Sequence, residues 1–252
     1  MDDVLRRLKP TRGFSSLAHN ALQAALPLII FALVRLNQDQ FTQLAIALVV
    51  LSKWRMFAVR PRFWPANIRA NSIDLIVGIS AVIFMLHSAT ALVQFAWAVA
   101  YGIWLIYLKP STGSFMISIQ ACIGQLAGLS ALYLFWPDGP IYGLTLLTGL
   151  ICFLAARHFF DAFEESYSRL LSYIWGYFGA SIAWVLSHWL LYYGAFSQPT
   201  VILITISYAV SALYYLDHND KLSKVLKQQL VAVMLVIILV VIIFSDWGSK
   251  VV

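Results

Sequence analysis

A chain of 252 residues in which 61% are hydrophobic and 11% are charged lies outside the composition of soluble globular domains, whose charged fraction is about a quarter. The net charge of +6 is carried by so few groups that it acts on membrane topology rather than on solubility. The composition excludes a water-soluble enzyme or binding domain and predicts an all-α, polytopic transmembrane helical bundle, without indicating a reaction.

Residues 1–16 form a basic tail, with Arg6, Arg7, Lys9 and Arg12 ahead of the first apolar run, Leu17–Val34. A basic stretch before an apolar run is also the layout of a signal peptide. Here Pro27 and Arg35 follow with no small-x-small cleavage site, so the run is read as an uncleaved first helix. The second run, Phe41–Ser52, is short and either crosses the bilayer or folds back with the first as a re-entrant hairpin. Seven further runs follow: Ile73–Leu86, Thr90–Leu108, Phe115–Trp136, Tyr142–Ala156, Tyr173–Phe196, Thr200–Leu216 and Leu230–Phe244. The chain thus reads as about nine spans in one domain over 17–244, with loops at 53–72, 109–114, 157–172 and 217–229 and a short tail at 245–252.

Fifteen of the seventeen Lys and Arg residues fall in the first tail and in those four loops, leaving Arg35 and Lys250 on the other side. Positive loops are retained in the cytoplasm, which predicts a cytoplasmic N-terminus, an external C-terminus and a plasma or inner membrane location. The connections on the predicted outer side are short and carry turn signals, as in Pro137-Asp-Gly-Pro140. Cys122 and Cys152 read as small packing residues within spans five and six. The spacings Gly124-x-x-x-Gly128 and Gly176-x-x-x-Ala180 predict close helix contacts.

The loop Lys53–Arg69 interleaves Lys53, Arg55, Arg60, Arg62 and Arg69 with Trp54, Phe57, Phe63 and Trp64. Basic groups there gain on the order of 1 kcal/mol each from anionic lipid, and the aromatic rings prefer the interface. The expected partners are membrane lipids with anionic headgroups, or a lipid-linked phosphate, and no recognition module points to nucleic acid. Pro61 and Pro65 are expected to interrupt any helix in this loop. The runs Ser52–Phe57 and Arg60–Trp64 resemble the basic aromatic loop in the membrane portion of bacterial transglutaminase-like membrane proteins. The resemblance covers a small part of the chain, and no activity follows from it.

Residues 157–169 predict an amphipathic interfacial helix with Arg157–Asp161 and Glu165–Arg169 pairs. His158, Asp161 and Glu165 on its polar side are weak metal-ligand candidates, to be completed from Asp217, His218 or Asp220; no resident metal or cofactor is otherwise expected. In span seven Tyr177, Ser181, Trp184 and His188 recur at helical spacing, and Ser207 and Ser211 do so in span eight. Hydroxyls and ring nitrogens need partners in lipid, so Trp184 and His188 are expected to face inward beside Ser207 or Ser211 and line a ligand groove. The resulting expectation is non-catalytic: binding or translocation of an apolar or amphipathic small molecule, or service as a membrane subunit of an assembly. The competing class is an enzyme acting on a lipid-linked phosphate, using Arg60, Arg62 and Arg69 with Asp161, Glu165 and His158.

Overall fold

A computed structural model describes residues 25–36, 38–189, 192–194 and 196–245. The tail 1–16, the start of the first apolar run, the side chain of Arg55 and the tail beyond Ser245 lie outside the described residues. The elements in order are α1 (Ala25–Leu36), α2 (Gln38–Leu51), α3 (Trp64–Ala70), α4 (Ser72–Leu86), α5 (Ala91–Ile103), α6 (Ser114–Phe135), α7 (Ile141–Asp161), α8 (Ser168–Leu186), α9 (Gln198–His218) and α10 (Lys224–Ile243). Between α8 and α9 a two-residue antiparallel ladder pairs β1 (Tyr192–Tyr193) with β2 (Phe196–Ser197). The fold is an all-α bundle.

Among the described residues six helical stretches are long and apolar enough to cross a membrane: Ala91–Leu108, Ser114–Phe135, Ile141–Asp161, Ser168–Trp189, Gln198–His218 and Lys224–Ile243. A seventh arises if Pro61–Ala70 and Ser72–Leu86, bent by 63° at Asn71, count as one broken span. The described part of α1 and the whole of α2 cover about 20 Å each at 1.5 Å per residue, against the roughly 30 Å of hydrocarbon.

Pro61 and Pro65 begin helices rather than break one. Pro61 opens a 3₁₀ turn and Pro65 sits in the first turn of α3, where a missing N–H costs nothing. The expected helix over 157–169 is not continuous but is interrupted at 162–167. The chain leaves α7 at Asp161, passes Glu164 in the left-handed region (φ 51°) and restarts at Ser168. This break buries Phe159 and Phe163 against Ala121, Tyr214 and Tyr215, burial that a continuous surface helix would have forfeited. Span seven ends earlier than its hydropathy predicts: α8 stops at Leu186, a 3₁₀ turn follows over Ser187–Trp189, and Gly194 at φ 63° lies between β1 and β2.

Small residues set the packing. A Cβ on Gly176 would lie 3.0 Å from the Gly149 carbonyl oxygen, and one on Gly179 would lie 2.6 Å from Cys152 Sγ, so α7 and α8 meet nearly backbone to backbone. Gly124 and Gly128 admit Ile73 and Ile76 of α4 in the same way. The largest apolar core joins α1, α2, α4 and α5 through Ile30, Val49, Val82, Met85, Tyr101 and Leu105. At the far end of the bundle Tyr193 and Gln198 both hold Ser245, tying the ladder and α9 to the end of α10.

Candidate functional site

Two constructions stand out: a cleft on the flank of the bundle and a cluster of buried charges at the end where the basic loops gather. The cleft, of about 210 Å³, lies between α6, α7, α8 and α9. Its wall includes Cys122 and Gln125 of α6, Phe159 of α7, Trp175 of α8, and Ser207 and Ser211 of α9. Ile174 and Val210 also line it and are exposed, so the cleft opens sideways between α8 and α9.

Its polar atoms form one connected group. The Trp175 indole N–H donates to Gln125 Oε1 at 3.3 Å and the Ser207 hydroxyl donates to the same oxygen at 2.9 Å. An indole N–H can only donate, so it fixes the orientation of the Gln125 amide and leaves the amide nitrogen without a partner. Ser211 donates to the Ser207 carbonyl at 2.5 Å, and Cys122 Sγ lies 3.6 Å from its hydroxyl oxygen. On the opposite side of α9 a second groove of about 360 Å³, mostly apolar but lined also by Thr205 and Tyr208, runs against α10 and shares Cys122.

Of the groove residues expected from the sequence, Ser207 and Ser211 line the cleft, whereas Tyr177, Ser181, Trp184 and His188 do not. Tyr177 is 78% exposed, and Trp184 and His188 are also on the outside. The inward face of α8 is instead the small-residue stripe Ser172, Gly176, Gly179 and Ala183, because only that face can approach α7 so closely. The outward polar groups need no neighbouring helix. Ser181 donates to the Tyr177 carbonyl at 2.9 Å and His188 Nδ1 lies 2.8 Å from the Trp184 carbonyl, both four residues back. Trp184 packs at a tilt of 49° against the ring of Tyr142 of α7.

The charge cluster is centred on Asp74 in the first turn of α4. Lys53 Nζ and Lys109 Nζ each lie 2.5 Å from Asp74 Oδ2, and the Trp104 indole N–H donates to Oδ1 at 3.0 Å. Burial pushes the Lys53 ammonium below the usual lysine range, opposed by the adjacent carboxylate. At about 100° per residue, positions 104 and 109 of an α-helix would point about 140° apart. The segment Trp104–Leu108 is instead a π-turn, closed by the Lys109 N–H to the Trp104 carbonyl at 2.8 Å, and this brings both side chains to one carboxylate. Gln120 of α6 braces the turn by donating to the carbonyls of Leu108 (2.6 Å) and Ser111 (3.1 Å). Its own Oε1 lies 3.1 Å from His158 Nε2, which must therefore be the protonated ring nitrogen.

Lys53 is thus sealed into an ion cluster rather than free in the basic loop, while Arg60 and Arg62 are exposed, Arg69 is half-buried and Arg62 lies 4.5 Å over the Phe63 ring. His158, Asp161 and Glu165 do not converge. His158 meets Gln120, Asp161 pairs with Arg157 at 3.0 Å, and Glu165 accepts from Tyr214 at 2.5 Å instead of pairing with Arg169. That hydroxyl holds the Glu165 carboxyl below the usual carboxylate range. Among the described residues no group of three His, Cys, Asp or Glu side chains is placed to hold a metal ion.

The sequence pointed to neither Asp74 and Lys109 nor Gln125 and Trp175 as site residues. One signal was present: a lone carboxylate beside an apolar run needs a cationic partner. The length and apolarity of the six helices are those of a multi-pass helical protein of membrane type. Comparison with protein-family models, with curated proteins and with solved structures finds no match for the chain.

Proposed function

We propose that the chain is a non-catalytic membrane protein that binds, and in doing so can translocate, an amphipathic small molecule in the cleft between α6, α7, α8 and α9. The observation that carries this reading is the cleft itself. Its walls are mostly apolar, its polar atoms gather on Gln125, Ser207 and Ser211, and it opens sideways beside the exposed apolar residues Ile174 and Val210, the side that in this reading meets the bilayer. A volume of about 210 Å³ is below the roughly 300 Å³ of the smallest drug-sized pockets, which suits a chain or single ring better than a whole lipid.

In this proposal all nine apolar runs enter the membrane, with a cytoplasmic N-terminus, an external C-terminus and a plasma or inner membrane location, supported by the fifteen-to-two distribution of Lys and Arg. Arg60, Arg62 and Arg69 then meet anionic headgroups at the cytoplasmic face. The exposed apolar surface of α10 leaves room for a further membrane subunit. The enzyme alternative is weaker, because His158, Asp161 and Glu165 are each engaged by a different partner.

The test uses a fatty acid carrying a photoreactive diazirine, added to the purified full chain in phosphatidylcholine nanodiscs, with adducts mapped by mass spectrometry. The expected adducts concentrate at Ile174 and Val210 and disappear in Ser211→Phe, whose ring fills the cleft. Adducts spread evenly over Leu92, Leu146 and other exposed positions would refute a specific cleft.

A further inference from the structure

The ion cluster at the basic end carries a separate inference. Two ammonium groups share one carboxylate, so the cluster has a formal charge of +1. Asp74 is the only carboxylate that pairs with either lysine among the described residues, so no second carboxylate in contact balances the surplus. Both carboxylate oxygens are occupied, Oδ1 by the Trp104 indole and Oδ2 by the two lysines.

The two lysines differ in access. The Lys53 side chain is 8% exposed and that of Lys109 is 31% exposed, so the surplus charge reaches solvent or headgroups through Lys109. An ammonium carries three N–H donors, and Asp74 takes one of those on Lys109. The carbonyls flanking it in its own turn, Leu108 and Ser111, already accept from Gln120. The π-turn and the Gln120–His158 brace therefore hold a cation in place with donors in excess and its neighbouring acceptors engaged.

We propose that Lys109 is the binding residue of an anion site at this end of the bundle, taking the phosphate of a net-anionic lipid headgroup or of a soluble phosphate ester. A compact ammonium binds phosphate as a point charge, and Asp74 keeps the lysine from folding away along its own helix. Exposed Tyr107 and Trp54, close to Lys109 and Lys53 along the chain, are rings of the kind that settle at headgroup depth, where phosphate is the abundant anion. This site is distinct from the cleft and does not depend on the proposed function.

The test measures the rate at which an amine-reactive reagent modifies Lys109 in the full chain, with exposed Lys224 as the internal reference, in three preparations: phosphatidylcholine nanodiscs, the same with inorganic phosphate, and nanodiscs containing phosphatidylglycerol. The expected result is about tenfold slower modification of Lys109 relative to Lys224 with one or both anions, the scale of a charge-assisted hydrogen bond. Protection by phosphatidylglycerol alone identifies the headgroup, and protection by inorganic phosphate identifies the phosphate group of a soluble ester. In parallel, phosphatidylglycerol retention by native mass spectrometry should fall about tenfold in K109Q and be restored in K109R. Unchanged relative rates in all three preparations would overturn the proposal, and this reading on the wild-type chain stands even if K109Q does not fold.

Discussion

Asp74→Asn keeps the shape of the side chain and removes its charge, leaving Lys53 and Lys109 converging on a neutral amide. Breaking a buried ion pair by removing one partner costs about 3–5 kcal/mol. Lys53 is 8% exposed and has nowhere to go, whereas Lys109 is 31% exposed and can swing outward, so the lower end, about 3 kcal/mol, applies. The Trp104 indole keeps an acceptor in the amide oxygen and adds little to the loss. A second substitution, Lys53→Met, removes the trapped cation and should restore about half of the lost stability in the Asn background. The assay is equilibrium unfolding in mixed micelles titrated with sodium dodecyl sulfate, followed by tryptophan fluorescence. If Asp74→Asn lies within about 0.5 kcal/mol of wild type, the carboxylate is not the centre of a buried cluster and the reasoning fails.

Gly176→Val places new carbons 3.0 Å or less from the Gly149 carbonyl oxygen and Phe153 Cβ and should destabilise the α7–α8 seam by about 1–3 kcal/mol in the same titration, whereas Tyr177→Val on the outer face should change little. The Tyr214 hydroxyl lowers the folded-state pKa of Glu165, so the stabilisation is present above the ordinary carboxylate pKa of 4.5 and is lost as pH falls through the lower folded value. Below pH 4.5, wild type should therefore lose stability more steeply than Tyr214→Phe; parallel acid limbs would show that the bond contributes nothing.

Hydropathy alone located the helices well: the run Ile73–Leu86 became α4 at Ser72–Leu86, and the Gly-x-x-x-small spacings marked real helix contacts. Periodicity was less informative about which face turns inward. The Tyr177–His188 stripe looked buried because its polar atoms needed partners, yet the carbonyls of its own helix supplied them, and close approach to α7 selected the opposite, small-residue face. Residues 157–169 misled for a related reason. Their local charge pattern fits a surface helix, but Phe159 and Phe163 gain more by packing under Tyr214. The cluster around Asp74 was hidden by distance along the chain, since its partners lie twenty-one and thirty-five residues away and meet only when α2, α4 and α5 pack.

The π-turn at Trp104–Leu108 makes the length of α5 as important as its composition. A homologous chain that kept Asp74, Trp104 and Lys109 but lost one residue between the tryptophan and the lysine could wind as an ordinary helix with the two side chains four apart, about 40° from each other, and both would still reach the carboxylate. In an alignment such a chain would show a gap inside the site and yet keep it. A full-length chain that straightened this turn into an ordinary helix would align without a gap and place the same two side chains about 140° apart, so the cluster tolerates a one-residue deletion in this window better than a substitution that removes the π-turn.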